Sequence, residues 1–166
     1  MEISIAFVIP SNSVYWSDKK DETWEIVRKR CSRPPFRLIA YRVIPNESGE
    51  IRGTVLELAR KADVIVVSGG TGMSSRDITV EALKKIAQKE LTGFGEEHRR
   101  RSLEEVGLRA IQSRAITFII GQSLVFVCPG SPSAVKTALD ILEEMSEYLL
   151  DEIKGYGHGR KTTTTS

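Results

Sequence analysis

Ser68-Gly69-Gly70-Thr71-Gly72 follows the branched apolar run Val64 to Val67 and leads into Arg76-Asp77. A glycine turn between a strand and a helix can do chemistry without a reactive side chain. Lacking Cβ, its backbone reaches positive φ and lets a ligand come close. Successive amide N–H groups then converge on an anion at the positive end of the next helix. The plain alternative is a tight turn where only glycine fits, and the glycines alone leave both readings open. Asp77 also reads two ways: as the cap of a helix starting at Ile78, or as a hard oxygen ligand holding Mg²⁺ between phosphates. Arg76 is a phosphate partner or a solvated surface cation.

A second turn of the same kind is Pro129-Gly130-Ser131-Pro132. Ser131 suits an N-cap and Pro132 the first helical position, so a strand again delivers the chain to a helix N-terminus. If the two strands are neighbours in a parallel sheet, the turns enclose a cleft where open α/β sheets bind ligands. Other sites are poorly matched. The Gly-Lys-Ser/Thr of a P-loop is missing. Gly70-x-Gly72 with Ser75 is only a near miss to the dinucleotide fingerprint, with no acidic residue closing a second strand. Cys31 and Cys128 lack metal-ligand spacing and read as buried reduced thiols. His98 and His158 have no metal-binding companions and are given no ligand role.

The elements that must hold these turns follow from the apolar pattern. Ile3 to Ile9 is a buried strand ended by Pro10, and Ser11-Asn12-Ser13 is a polar turn. From Asp21 a helix carries Trp24, Val27 and Cys31 on one face, which makes Trp24 a core residue; Pro34-Pro35 ends it. Phe36 to Val43 is a strand, and Ile51, Val55, Leu58, Ala59 and Ala62 mark an amphipathic helix. A third helix is expected over about 78–88. Thr92-Gly93-Phe94-Gly95 breaks the chain, and a helix restarts over 96–106. Phe94 reads as a plug under a loop, and His98-Arg99-Arg100-Arg101 as a solvated face. Ala115 to Ile120 and Leu124 to Val127 form a hairpin at Gly121-Gln122. Val135, Ala138, Leu139, Leu142, Met145 and Leu149 face the core from the longest helix. The alternation gives an α/β fold, a three-layer αβα sandwich around a mostly parallel sheet with a C-terminal hairpin. One domain is expected over 1–154, with a flexible tail over 155–166.

The chain has 166 residues, 40% apolar and 28% charged, with a formal net charge of +2. That charge is too small to suggest a nucleic-acid partner. The apolar runs are strand-length, so no membrane span is expected, and an acid at Glu2 with a stop at Pro10 does not make a secretory signal. A cytoplasmic protein is the expectation.

Taken in order, Ser68-Gly69-Gly70-Thr71-Gly72, Arg76-Asp77, Gly93-Phe94-Gly95-Glu96, Gln112-Ser113-Arg114 and Pro129-Gly130-Ser131 resemble the MoaB/Mog family of molybdenum cofactor biosynthesis, its protein B branch most closely. The resemblance runs from about Ile3 to Lys154. It implies a molybdopterin-binding-domain-like fold and molybdopterin adenylyltransferase activity, the Mg²⁺-dependent transfer of AMP from ATP to the terminal phosphate of molybdopterin. It also implies a homotrimer or homohexamer and contacts with other molybdenum cofactor enzymes. By the same resemblance Asp77 is catalytic and holds Mg²⁺, with Glu47 a second candidate for the metal. The substrate-binding residues become Gly69, Gly70, Thr71, Gly72, Arg76, Gly95, Glu96, Pro129, Gly130 and Ser131. The chain departs from the family pattern at Asn12 and Asn46, where members carry aspartate, and at Trp24-Glu25, where members carry a Ser-Gly pair. The two asparagines motivate an alternative, a non-catalytic molybdopterin-binding carrier or scaffold.

Overall fold

Continuous apolar strands belong in a sheet covered on both faces, and the chain is built that way. A computed structural model describes residues 1–156. In chain order the elements are β1 (Ile3–Pro10), α1 (Asn12–Tyr15), α2 (Trp24–Cys31), β2 (Phe36–Ile44), α3 (Ser48–Leu58), β3 (Val64–Ser68), α4 (Thr79–Lys84), β4 (Lys89–Leu91), α5 (Gly93–Val106), a 3-10 helix (Gly107–Gln112), β5 (Ile116–Ile120), β6 (Ser123–Cys128) and α6 (Pro132–Ile153). They make one six-stranded sheet in the order β2-β1-β3-β6-β5-β4. The first four strands run parallel. β5 and β4 are antiparallel additions, and Ile120 pairs with Ser123 to close the expected hairpin.

Every residue of β1, β3 and β6 is buried, and alternate side chains supply opposite faces. Ile5, Phe7, Val64, Val66, Leu124 and Phe126 pack under α2 and α6, against Val27, Val135 and Leu139. Ala6, Val8, Ile65, Val67, Val125 and Val127 pack under α3 and α4, against Ile51, Val55, Leu58 and Leu83. This is the three-layer α/β sandwich that the alternation implies. α6 ends as Gly155 (φ 75) and Tyr156 fold back, the Tyr156 amide reaching the Asp151 carbonyl at 2.9 Å. The rest of the tail, 157–166, lies outside the described residues.

Local expectations failed where tertiary pairing overrode helical pattern. The segment after Asp77 is helical only through Lys84. Beyond it the Gln88 amide bonds the Ile119 carbonyl at 2.9 Å, and Lys89–Leu91 pairs with β5 as an edge strand. That strand is too short and too charged to announce itself. Gly93-Phe94-Gly95 is not a break but the first turn of α5. A Cβ on Gly95 would run into the Ala115 carbonyl, so glycine is there for the close approach of the helix to the chain entering β5. The polar turn after β1 includes the single-turn helix α1, capped by Ser11, whose Oγ accepts from the Val14 amide at 3.3 Å.

Candidate active site

β3 and β6 are adjacent and parallel, with Ser68 opposite Cys128, so the two glycine turns leave the sheet side by side. The Gly69 amide donates to the Cys128 carbonyl at 2.8 Å. The Ser68 hydroxyl donates to the Pro129 carbonyl at 3.3 Å. A Cβ built on Gly130 would stand 3.6 Å from the Gly69 Cα, so the two backbones nearly touch. Ser131 caps α6 as expected: its backbone is extended (φ −72, ψ 151) and its Oγ accepts from the Ala134 amide at 3.3 Å.

In the first turn Gly69 and Gly70 have φ of 120° and 74°, a region open to glycine. Three of the turn's carbonyls are engaged. That of Gly70 accepts from the Thr79 amide at 3.3 Å and that of Thr71 from the Arg114 amide at 3.0 Å. The carbonyl of Gly72 accepts from the Arg114 Nε at 2.9 Å. In a trans peptide the N–H points opposite to the C=O of the same unit. Pulling these carbonyls toward α4 and Arg114 therefore turns the amides of Thr71, Gly72 and Met73 the other way. Among the described residues, no backbone carbonyl accepts from the amides of Gly70, Thr71 or Met73.

Asp77 does not cap α4, whose N-cap position is Ile78 with no side-chain cap. Its Oδ2 instead accepts from the Ser74 amide at 2.9 Å and the Ser74 hydroxyl at 2.8 Å. The Ser74 hydroxyl, then the Ser74 and Gly72 amides and the Arg114 charge, hold the Asp77 carboxyl below its ordinary range against the opposing effect of burial. A Cβ on Gly72 would fall 2.7 Å from the Asp77 Oδ2, so the carboxylate lies against the turn because residue 72 has no side chain.

Two clefts meet over this ridge. One, of about 660 Å³, is lined by Gly70 to Ser74, Asp77, Arg109, Ser133 and the Pro129 turn. The other, of about 430 Å³, is lined by Ser11, Lys19, Lys20, Thr23, Gly69 and Pro132. Gly70, Gly130 and Ser131 line both. Of the residues picked from sequence, Gly69, Gly70, Thr71, Gly72, Asp77, Pro129, Gly130 and Ser131 come together here. Arg76 is exposed beside Asp77 without lining either cleft, and the same holds for Glu47, at the N-cap of α3. Gly95 is buried against Ala115, Glu96 is exposed, and neither borders the clefts within this chain.

Ser74, Arg109, Arg114, Lys19 and Lys20 escaped the sequence reading of the site. Arg114 sat in a quoted motif without a role. The lysines and Arg109 carried no signal, because their meaning depends on which loops converge.

Asn12 and Asn46 act as ties between loops. The Asn12 Oδ1 accepts from the Asn46 amide at 2.9 Å, and the Asn46 Nδ2 donates to the Arg76 carbonyl at 2.9 Å. An aspartate at 46 could not make the second bond. Trp24 is not a core residue: it is 36% exposed, edge-on to the Tyr41 ring at 4.8 Å. Tyr41 in turn donates to the Asp21 carboxylate at 2.6 Å. The basic run is only partly a solvated face. His98 is 1% exposed with Nε2 at 2.9 Å from the Ala134 carbonyl, and burial pushes its pKa down. Arg99 donates to the carbonyls of Ser113 and Ala115 at 3.1 and 3.0 Å. Phe94 is a plug, buried edge-on against Phe126 at 4.8 Å. Cys31 and Cys128 are free buried thiols pushed up to about 12 by desolvation, unsuited to nucleophilic work.

Among the described residues no group of three or more His, Cys, Asp or Glu could hold a metal by itself, and no helix is long and apolar enough to cross a membrane. A magnesium ion on a nucleotide needs less. One or two carboxylates suffice when phosphate oxygens and water complete the shell, and Asp77, kept anionic at the rim of the cleft, fits that role.

Paired turns at the carboxyl ends of adjacent parallel strands define an α/β protein with a cleft at the place where open sheets of this kind take their ligands. Residues 6–148 match the family described as "Probable molybdopterin binding domain", and the chain belongs to that family. It is 41% identical over 159 residues to a "Probable molybdopterin adenylyltransferase" of Methanocaldococcus jannaschii, covering 92% of this chain and 94% of that one. It is 36% identical over 129 residues to the "Molybdenum cofactor biosynthesis protein B" of Bacillus cereus, covering 76% of each. The crystal structure of the tungsten cofactor synthesizing protein MoaB from Pyrococcus furiosus superposes with a TM-score of 0.84 at 32% identity, over 92% of this chain and 98% of that one.

Proposed function

We propose that this protein is a molybdopterin adenylyltransferase of molybdenum cofactor biosynthesis, transferring AMP from ATP to the terminal phosphate of molybdopterin. The observation that carries this reading is the ridge of Gly70, Gly130 and Ser131, which borders both clefts. Two phosphorylated ligands, one in each cleft, meet over that ridge. The larger volume, about 660 Å³, is within the usual range for a small-molecule site.

The chemistry asks little of side chains. An oxygen of the molybdopterin phosphate attacks the α-phosphorus of ATP, a new P–O bond forms, and the bond to the β-phosphate oxygen breaks to release pyrophosphate. The nucleophile is already an anion, so positioning and charge neutralisation dominate. The unengaged turn amides and the N-terminus of α6 bind and orient phosphate oxygens. Arg109 in one cleft and Lys19 and Lys20 in the other make no ion pair within 4.0 Å among the described residues and neutralise charge. Asp77 and the phosphates would hold Mg²⁺, which when bound offsets the repulsion between two polyanions. The protein works in the cytoplasm as a homo-oligomer, and Leu103, Val106, Leu108 and Ile111, exposed beside the larger cleft, offer apolar surface for assembly.

The carrier alternative rested on lost carboxylates at 12 and 46. The ties those asparagines make give them another purpose, and the transferase names of the relatives favour the catalytic reading. The test is direct: purified protein, ATP, Mg²⁺ and molybdopterin yield adenylyl-molybdopterin and pyrophosphate, and Asp77→Asn removes the product while the fold is kept. Stoichiometric molybdopterin binding with no AMP transfer would overturn the reading.

A further inference from the structure

We propose that Arg114, which need touch neither substrate, is a positioning residue that aims the amides of the glycine turn and fixes Asp77; the proposal rests on the adenylyltransferase reading of the site.

Bonds to four residues, Thr71, Gly72, Asp77 and Glu81, converge on Arg114. Its amide donates to the Thr71 carbonyl at 3.0 Å. Its Nε donates to the Gly72 carbonyl at 2.9 Å, and its Nη2 to the Asp77 carbonyl at 3.0 Å. Its Nη1 pairs with the Glu81 carboxylate on α4. The guanidinium thus ties both ends of the segment Gly72–Asp77 to the helix that follows. Because N–H and C=O of a peptide unit point oppositely, fixing the carbonyls of Thr71 and Gly72 fixes the amides of Gly72 and Met73. The charge also contributes to the depressed pKa of Asp77.

Stability alone does not account for the arrangement. The Arg114 and Glu81 side chains are 36% and 55% exposed, and ion pairs in such settings contribute little. What the fork supplies is geometry: three donors in a plane, matched to acceptors spread along the turn. Lysine carries the same charge on a single atom and cannot span them.

The experiment compares the wild type with Arg114→Lys and Arg114→Gln. Both variants are expected to lose kcat by about 10- to 100-fold, the scale of a small misplacement of reacting groups, while KM for ATP moves less than threefold. A readout independent of turnover is the pair of backbone ¹⁵N order parameters of Met73 and Ile78, whose peptide units the side chain holds through the Gly72 and Asp77 carbonyls; both are expected to fall from about 0.85 to below about 0.6 in both variants while β3 and β6 stay rigid. Should either variant fail to fold, Glu81→Gln, which loosens the same fork, should lower the same order parameters. A wild type that transfers no AMP would sink the functional reading, and the order parameters would still decide the role of Arg114. Unchanged order parameters, or an Arg114→Lys enzyme with wild-type kcat, overturn the proposal.

Discussion

The Asp77 carboxylate accepts from the amide and the hydroxyl of Ser74, at 2.9 and 2.8 Å, in place of capping the helix that follows it. The carboxylate is thereby held ionised, at a fixed point beside the glycine turn, well into acid. A group whose folded pKa is lowered adds stability at neutral pH that is lost as pH falls through that value. Activity that needs the anion falls away in the same window. Ser74→Ala removes the largest cause of the shift, so the acid limb of kcat/KM moves up in pH toward the ordinary carboxylate range. A pH–rate profile of the two proteins checks this, and superimposable limbs would refute it.

Gly72→Ala puts a methyl group 2.7 Å from the Asp77 Oδ2. The surface turn can adjust without unfolding the sheet, but the carboxylate must move. We expect kcat/KM to fall by about 10- to 100-fold with an unchanged far-UV spectrum. Retention of more than half the activity would show that the position of Asp77 is not critical.

Asn46→Asp introduces a carboxylate yet exchanges a donor for an acceptor facing the Arg76 carbonyl. The expected outcome is lower activity than wild type, together with a small loss of thermal stability. An increase in AMP transfer would show instead that the missing carboxylate limits the reaction.

Lys19→Gln/Lys20→Gln should raise KM for molybdopterin several-fold with little change in kcat, since these side chains border the smaller cleft, away from Asp77 and the nucleotide it serves. The salt dependence of KM should flatten as well, because neutralised phosphate contacts no longer respond to screening. Initial-rate kinetics at low and high ionic strength measure both effects.

Phe94→Ala opens a cavity where the ring meets Phe126 and should cost about 3–5 kcal/mol. Denaturant titration would show a lower midpoint at similar slope. A loss below about 1 kcal/mol would mean that the neighbouring helix collapses into the space.

Much of the fold was legible because period and punctuation agree. The uniformly apolar stretches ending at Pro10, Ser68 and Cys128 became β1, β3 and β6, and the i, i+4, i+7 pattern from Ile51 became α3. β4 was illegible, since three residues, two of them charged, become a strand only by pairing with β5. Gly95 pointed the wrong way, because a helix that packs tightly on a carbonyl selects glycine as firmly as a turn does, whereas Gly93 faces open space.

The sequence by itself determined the alternation of strands and helices, the two glycine turns, and the presence of a carboxylate and a cap beside them, because these depend on neighbours a few residues apart. Only the tertiary structure decided that β3 and β6 lie side by side, that Asp77 turns to Ser74, and that Arg114 reaches back across 42 residues to hold the Gly72 carbonyl. Those relations come from packing two faces of one sheet at once, and no local pattern in the chain encodes which distant backbone a side chain will meet.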